Sequence, residues 1–159
     1  MAISRSVLMV ELLMSVDRVI ESARTSSPST DPEEWPPATV VGHLSLVDEQ
    51  VWLPRLDLMV TSSEVPSFTW WEPDADETRK AFASVSLDEA AARLLASRTT
   101  ILHRLRGLDD DGWASTGLHS VFGEMDVEGL MLQAMAHDEE HRASLVLSEP
   151  QRPDAPASP

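Results

Sequence analysis

Four stretches of the chain repeat their apolar residues every third or fourth position, and almost nowhere does the sequence alternate at the period of two that marks a half-buried strand. In residues 4–23, Leu8, Leu12, Val16, Val19 and Ile20 fall on one line, with Glu11, Asp17, Arg18 and Glu21 on the other side. The second stretch starts at Pro36 and Pro37, tolerated in a first helical turn because their missing N–H groups have no intrahelical partner there. It aligns Val40, His43, Leu44, Val47, Val51, Pro54 and Leu58, and Pro54, unable to donate to the carbonyl of Gln50, should bend that helix or end its regular part. The third opens on Ser86 with Glu89 three residues later, a capping box, and runs through Leu87, Ala91, Leu94, Ile101, Leu105 and Leu108 to Gly107 and an Asp-rich stop. The fourth follows Asp126, a fitting N-cap, and carries Val127, Leu130, Ala134, His137, His141 and Leu145 on one face.

These patterns predict an all-α protein, an antiparallel four-helix bundle. Between the second and third stretches, residues 62–84 lose the pattern among Pro66, Trp70, Trp71, Pro73 and an acidic cluster, with a short helix expected around Glu77 to Phe82. That is too long for a tight hairpin and predicts a long crossover between helices 2 and 3. Residues 1–148 read as one domain and 149–159, Pro-rich and polar, as a disordered tail.

The 159 residues include no cysteine, which removes disulfides, thiolate metal sites and a cysteine nucleophile. A formal charge of −15, with a single lysine, Lys80, argues against nucleic acid and against an anionic membrane as partners. No apolar run approaches the roughly 18 residues of a membrane span. The N-terminus, broken by Ser6 and Glu11, reads as a helix and not a signal peptide, so a cytoplasmic protein is expected.

Chemistry is concentrated in His137-Asp138-Glu139-Glu140-His141. Two histidines four residues apart on a helix lie about 6 Å apart along its axis on one face, so their rings can converge on one ion. A divalent ion in a catalytic site usually takes three protein ligands and keeps one position open. His43 supplies the third: all three histidines lie on stripes that must face the bundle interior, where unpartnered imidazoles are costly and a shared metal accounts for them together. Such a site suits zinc, nickel, iron(II) or manganese, and affinity order alone does not choose among them. The zinc-protease pattern H-E-x-x-H is not matched, since Asp138 stands where its glutamate would, and no histidine follows His141.

Other residues carry two readings each. Asp138 either orients a ligand ring as part of the catalytic apparatus or sits on a solvated face. His119, in a loop flanked by glycines, is either a catalytic proton donor or substrate contact at the pocket mouth, or a surface histidine. Arg98, on a core stripe, either binds the anionic end of a substrate or cofactor, or makes a structural ion pair with Asp48 or Glu49. His103 reads as exposed, and Trp52, Trp70 and Trp71 as core, pocket lining or a dimer seam.

Trp35-Pro36-Pro37 leading to Gly42-His43-Leu44, Arg98 ahead of Leu105 to Leu108, then Trp113, Gly117-Leu118-His119, Phe122-Gly123 and Ala136-His137-Asp138 with His141 resemble the DinB-like family of metal-dependent proteins, over most of residues 4–147. The resemblance implies a four-helix bundle with a long crossover, a divalent metal on His43, His137 and His141, and a homodimer formed through helix faces. It further implies chemistry of the kind found in relatives that join low-molecular-weight thiols to small electrophiles or use a thiol to isomerise a small molecule. On that reading the chain is a metal-dependent transferase or hydrolase that activates an external thiol or water against a small-molecule substrate. The alternative is a bundle that binds a metal or small molecule without turnover.

Overall fold

The structure, a computed structural model, describes residues 3–27 and 29–147. Helix α1 (Arg5–Thr25) is followed by α2 (Pro37–Val47), a π-helical turn (Asp48–Trp52), α3 (Leu53–Thr61), strand β1 (Ser67–Phe68) and α4 (Ala75–Phe82). Then come α5 (Leu87–Arg106), α6 (Asp110–Ala114), the strands β2 (Thr116–His119) and β3 (Gly123–Asp126), and α7 (Val127–Leu147). The tail predicted for 149–159 lies outside the described residues.

The bundle consists of α1, the continuous rod of α2 and α3, α5 and α7. Paired residues give its directions. Leu12 and Arg24 of α1 meet Arg98 and Asp88 of α5, so those helices are antiparallel. Ile3 and Ser15 meet Glu128 and Asp138, so α7 runs parallel to α1. Asp48 and Asp57 meet Arg98 and Arg104, so the α2–α3 rod runs parallel to α5. Residues 62–86 therefore carry the chain back along the bundle before α5 begins.

Local chemistry sets the boundaries. Ser86 and Glu89 close the capping box of α5, Asp74 accepts from Glu77 N at 2.9 Å to start α4, and Asp126 accepts from Gly129 N at 2.8 Å to start α7. Upstream of Pro54 the helix widens into the π turn, in which Leu53 N–H donates to the carbonyl of Asp48.

Absent from the helical reading of the sequence is a three-stranded sheet in the order β1-β2-β3, with β1 parallel and β3 antiparallel to β2. Its strands of two to four residues are too short for alternation to register. Gly123, at φ 75°, supplies the left-handed residue where the hairpin returns. The sheet turns the region around His119 from the expected loop into a fixed ledge beside the bundle.

The interior is divided. One apolar compartment gathers Leu8, Leu12, Ile101, Leu105, Leu130 and Ala134; the other gathers Val16, Val19, Val40, Leu44, Leu94 and Leu145. Between them lies a buried polar layer of Ser15, Asp48, Ser97, Arg98 and Asp138.

Candidate metal centre

His43 comes from the middle of α2, and His137 and His141 from successive turns of α7. One ring nitrogen from each lies within 4.8 Å of the others, and the ring centroids are 5.6 Å (His43–His137), 4.8 Å (His43–His141) and 4.7 Å (His137–His141) apart. Trp35 packs on His43 from outside at 5.0 Å, and Trp52 presents an edge-on contact to His137 at 6.1 Å.

The hydrogen-bond balance of the cluster is unfilled. Both ring nitrogens of His43 and Nδ1 of His137 are buried without a protein partner. Each such group costs about 1–3 kcal/mol when left unpaired. Burial, then the proximity of His141 and His137, holds His43 down at about 3; burial and His137 hold His141 at about 4; burial lowers His137 as well. At neutral pH the rings are uncharged, each with a lone pair, which is the state that binds a cation. A divalent ion therefore fits the donor set. A cavity of about 370 Å³ lined by Trp35, Val40, Glu140 and Leu145 reaches His141, so the centre has an approach from outside.

Asp138 and Arg98 belong to a different assembly. Arg98 is fully enclosed and uses all five guanidinium N–H groups: Nε and Nη2 donate to Asp48 at 3.1 Å, Nη1 and Nη2 to Asp138 at 2.9 and 3.1 Å, and Nη1 to the Leu12 carbonyl at 2.9 Å. No donor is left for the anionic group of a ligand, and of the expected ion-pair partners it is Asp48, not Glu49, that Arg98 meets. Asp138 also accepts from Ser15 Oγ at 2.7 Å. Its carboxylate is turned toward Arg98, so it does not take up the ring-orienting role. Two carboxylates around Arg98 keep it charged, while burial, outweighing Arg98, pushes Asp48 up to about 6.

His119 is buried in β2 and not on the surface. Its Nδ1 accepts from the backbone N–H groups of Val121 (3.0 Å) and Phe122 (3.3 Å), which places the ring proton on Nε2, and Nε2 has no partner. Burial and the charge of Arg55 lower its pKa. His119, Arg55, Glu72 and His137 line a gap of about 20 Å³, the size of one water. Trp70 and Trp71 are about half exposed beside it, whereas Trp52 is core; His103 is exposed.

Sequence reasoning missed several of these groups. Ser15 and Ser97 sit on apolar stripes, where a small hydroxyl raises no signal. Arg55 lies over Trp52 and Phe68 and donates to Thr69 O. Glu72, in the aperiodic crossover, has Oε1 3.5 Å from His137 Nε2.

The DinB superfamily model matches residues 13–145. None of the curated proteins matches the chain at a significant level. Among solved structures, YfiT from Bacillus subtilis, described as a probable metal-dependent hydrolase with an unusual four-helix bundle topology, superposes with a TM-score of 0.72 at 16% identity, over 92% of this chain and 88% of that one. The four-helix bundle protein TT2238 gives 0.60 at 21% identity, over 91% and 99%. A variant of the mycothiol-dependent maleylpyruvate isomerase gives 0.64 at 12% identity, over 90% of this chain and 61% of that one. At these identities the superpositions speak to the fold, and no helix among the described residues is long and apolar enough to cross a membrane. With the model spanning most of the sequence and the bundle shared, the chain belongs to the DinB superfamily.

Proposed function

We propose that His43, His137 and His141 hold one divalent ion, zinc or nickel first, and that the centre activates a low-molecular-weight thiol or water against a small electrophile. The observation that carries this reading is the convergence of three uncharged imidazoles, with buried nitrogens that nothing in the protein satisfies, beside an open cavity. When bound, such an ion supplies Lewis acidity that lowers the pKa of a thiol or water and polarises an electrophile. The nucleophile has to come from outside, since the chain has no cysteine.

The protein's own part is binding, orientation and exclusion of water. Trp35 and Val40 wall the cavity that reaches His141. His119, held as the Nε2–H tautomer, presents a donor to a developing negative charge or leaving group in the gap behind His137. The catalytic assignment accordingly rests on His119 alone of the two residues first considered, because Asp138 is engaged with Arg98. The narrowness of that gap favours a second reading, in which the ion is held without turnover. A homodimer is part of the proposal: Val7, Val10 and Met14 make an exposed apolar stripe along α1, with Ile3 exposed just ahead of the helix.

Elemental analysis of protein purified without an affinity tag, paired with turnover of a thiol against a test electrophile, checks the proposal. Metal at one ion per chain is expected, with turnover lost in His43→Ala and His137→Ala variants that remain folded. Full turnover in a metal-free preparation overturns the catalytic reading, and stoichiometric metal without turnover selects the binding one.

A further inference from the structure

We infer that Glu72 orients His137 within the metal centre: its carboxylate accepts the Nε2–H of His137, leaving Nδ1 as the nitrogen that ligates the ion. This rests on the metal-binding reading above and adds a residue from outside the bundle helices.

The argument is an accounting of one ring. Nε2 of His137 lies 3.5 Å from Glu72 Oε1, a charge contact longer than a regular hydrogen bond, and Nδ1 is buried with no partner. A neutral imidazole has one N–H and one lone pair. Placing the proton on Nε2 gives it an acceptor and frees the lone pair at Nδ1, the one ring position the protein leaves unfilled. The reverse assignment would face a lone pair toward a carboxylate and leave a buried N–H unpaired. Metal-ligating histidines commonly donate their second N–H to a carboxylate, which fixes ring orientation and raises ligand basicity.

Of the acids that follow His137 in α7, Asp138 and Glu139 are engaged elsewhere, whereas Glu140 lines the cavity beside His141. Both oxygens of Asp138 go to Arg98, and Glu139 pairs with Arg142. The segment bearing Glu72 is pinned at both ends: Arg55 donates to Thr69 O at 2.8 Å, Trp70 packs against His119 and Phe122, and Asp74 caps α4. The crossover thus delivers a carboxylate to the ring at a set position, although the side chain is 40% exposed. Glu72 is a positioning residue on this assignment, acting through His137.

Zinc titration of the full chain against a chromophoric chelator tests it, with circular dichroism to verify folding. Glu72→Ala should weaken zinc binding by about 10–100-fold. Glu72→Gln, whose amide oxygen still accepts, should lie much closer to the parent. In ¹⁵N-histidine spectra of the zinc-loaded parent, His137 should show a protonated Nε2 and a zinc-bound Nδ1. Parent-like affinity in Glu72→Ala, or zinc on Nε2 of His137, overturns the inference while leaving the metal centre standing. A parent chain that binds no zinc overturns both.

Discussion

Asp138 and Arg98 face each other across the bundle with two hydrogen bonds of 2.9 and 3.1 Å, one residue along α7 from His137. The residue beside a candidate ligand is thereby locked into the polar layer that joins α1, the π turn, α5 and α7, and the turn of α7 that presents His137 is fixed with it.

Removing the cation from this layer leaves Asp48 and Asp138 buried without their shared counter-ion. Arg98→Met should destabilise the protein by about 3–5 kcal/mol in urea denaturation. Lysine should not restore the loss, because a point charge cannot span two carboxylates with paired donors. Adding Asp48→Leu and Asp138→Leu to Arg98→Met should recover most of the stability, since an apolar replacement of a buried ion group is often neutral or better.

The histidines should behave in the opposite way. His43 is buried with neither ring nitrogen paired, so in metal-free protein it is a polar group in an apolar place. His43→Leu should leave the melting temperature of the metal-free protein unchanged or higher. Zinc at about 100 times the parent Kd should stabilise the parent by roughly 2.7 kcal/mol and the variant not at all. A variant that melts well below the parent without metal would mean that the imidazole has a structural partner.

This difference in sign shows where the sequence was readable. Long helices that bury one face leave a repeating trace, and His43, His137 and His141 shared that trace with the leucines around them, so their convergence followed from helix period and bundle packing. Arg98 was visible on the same grounds as a buried cation, with Asp48 among its expected partners, but Asp138 was not. That Asp138 flanks it as well depends on α7 running parallel to α1, which periodicity within one helix does not encode. Glu72 and the sheet around His119 lie in segments whose shape is set by turns and a few tertiary contacts, where no periodic signal forms.

Gly42, next to His43, is held to its size by α4. A Cβ built there would collide with the ring of Phe82, which is buried and packs directly on the α2 backbone. Alanine normally favours a helix interior by about 1 kcal/mol over glycine. Here Gly42→Ala should instead destabilise by about 1–3 kcal/mol, the usual cost of overpacking, and Phe82→Leu in the same chain should return part of it. Thermal denaturation of the single and double variants measures the coupling, and additive effects would show that the ring moves aside freely.

Acid sensitivity follows from the same buried groups. His43 and His141 sit at about 3 and about 4 in the folded protein, against roughly 6.5 for a free imidazole, and His137 is lowered too. Unfolded chains take up these protons first, so the histidine contribution to metal-free stability is complete above about pH 6.5 and is lost as pH falls. Each extra proton on the unfolded state removes about 1.4 kcal/mol per pH unit. Asp48 opposes this: raised to about 6, it takes up its proton in the folded state between that value and the ordinary carboxylate range, and so adds stability as pH falls through that window. Asp48→Asn removes the opposition. Between pH 6 and 4 the metal-free variant should therefore lose stability more steeply than the parent by about one proton's worth, roughly 1.4 kcal/mol per pH unit in urea midpoints converted to free energy. Equal slopes in the two proteins would show that Asp48 keeps an ordinary carboxylate pKa beside Arg98.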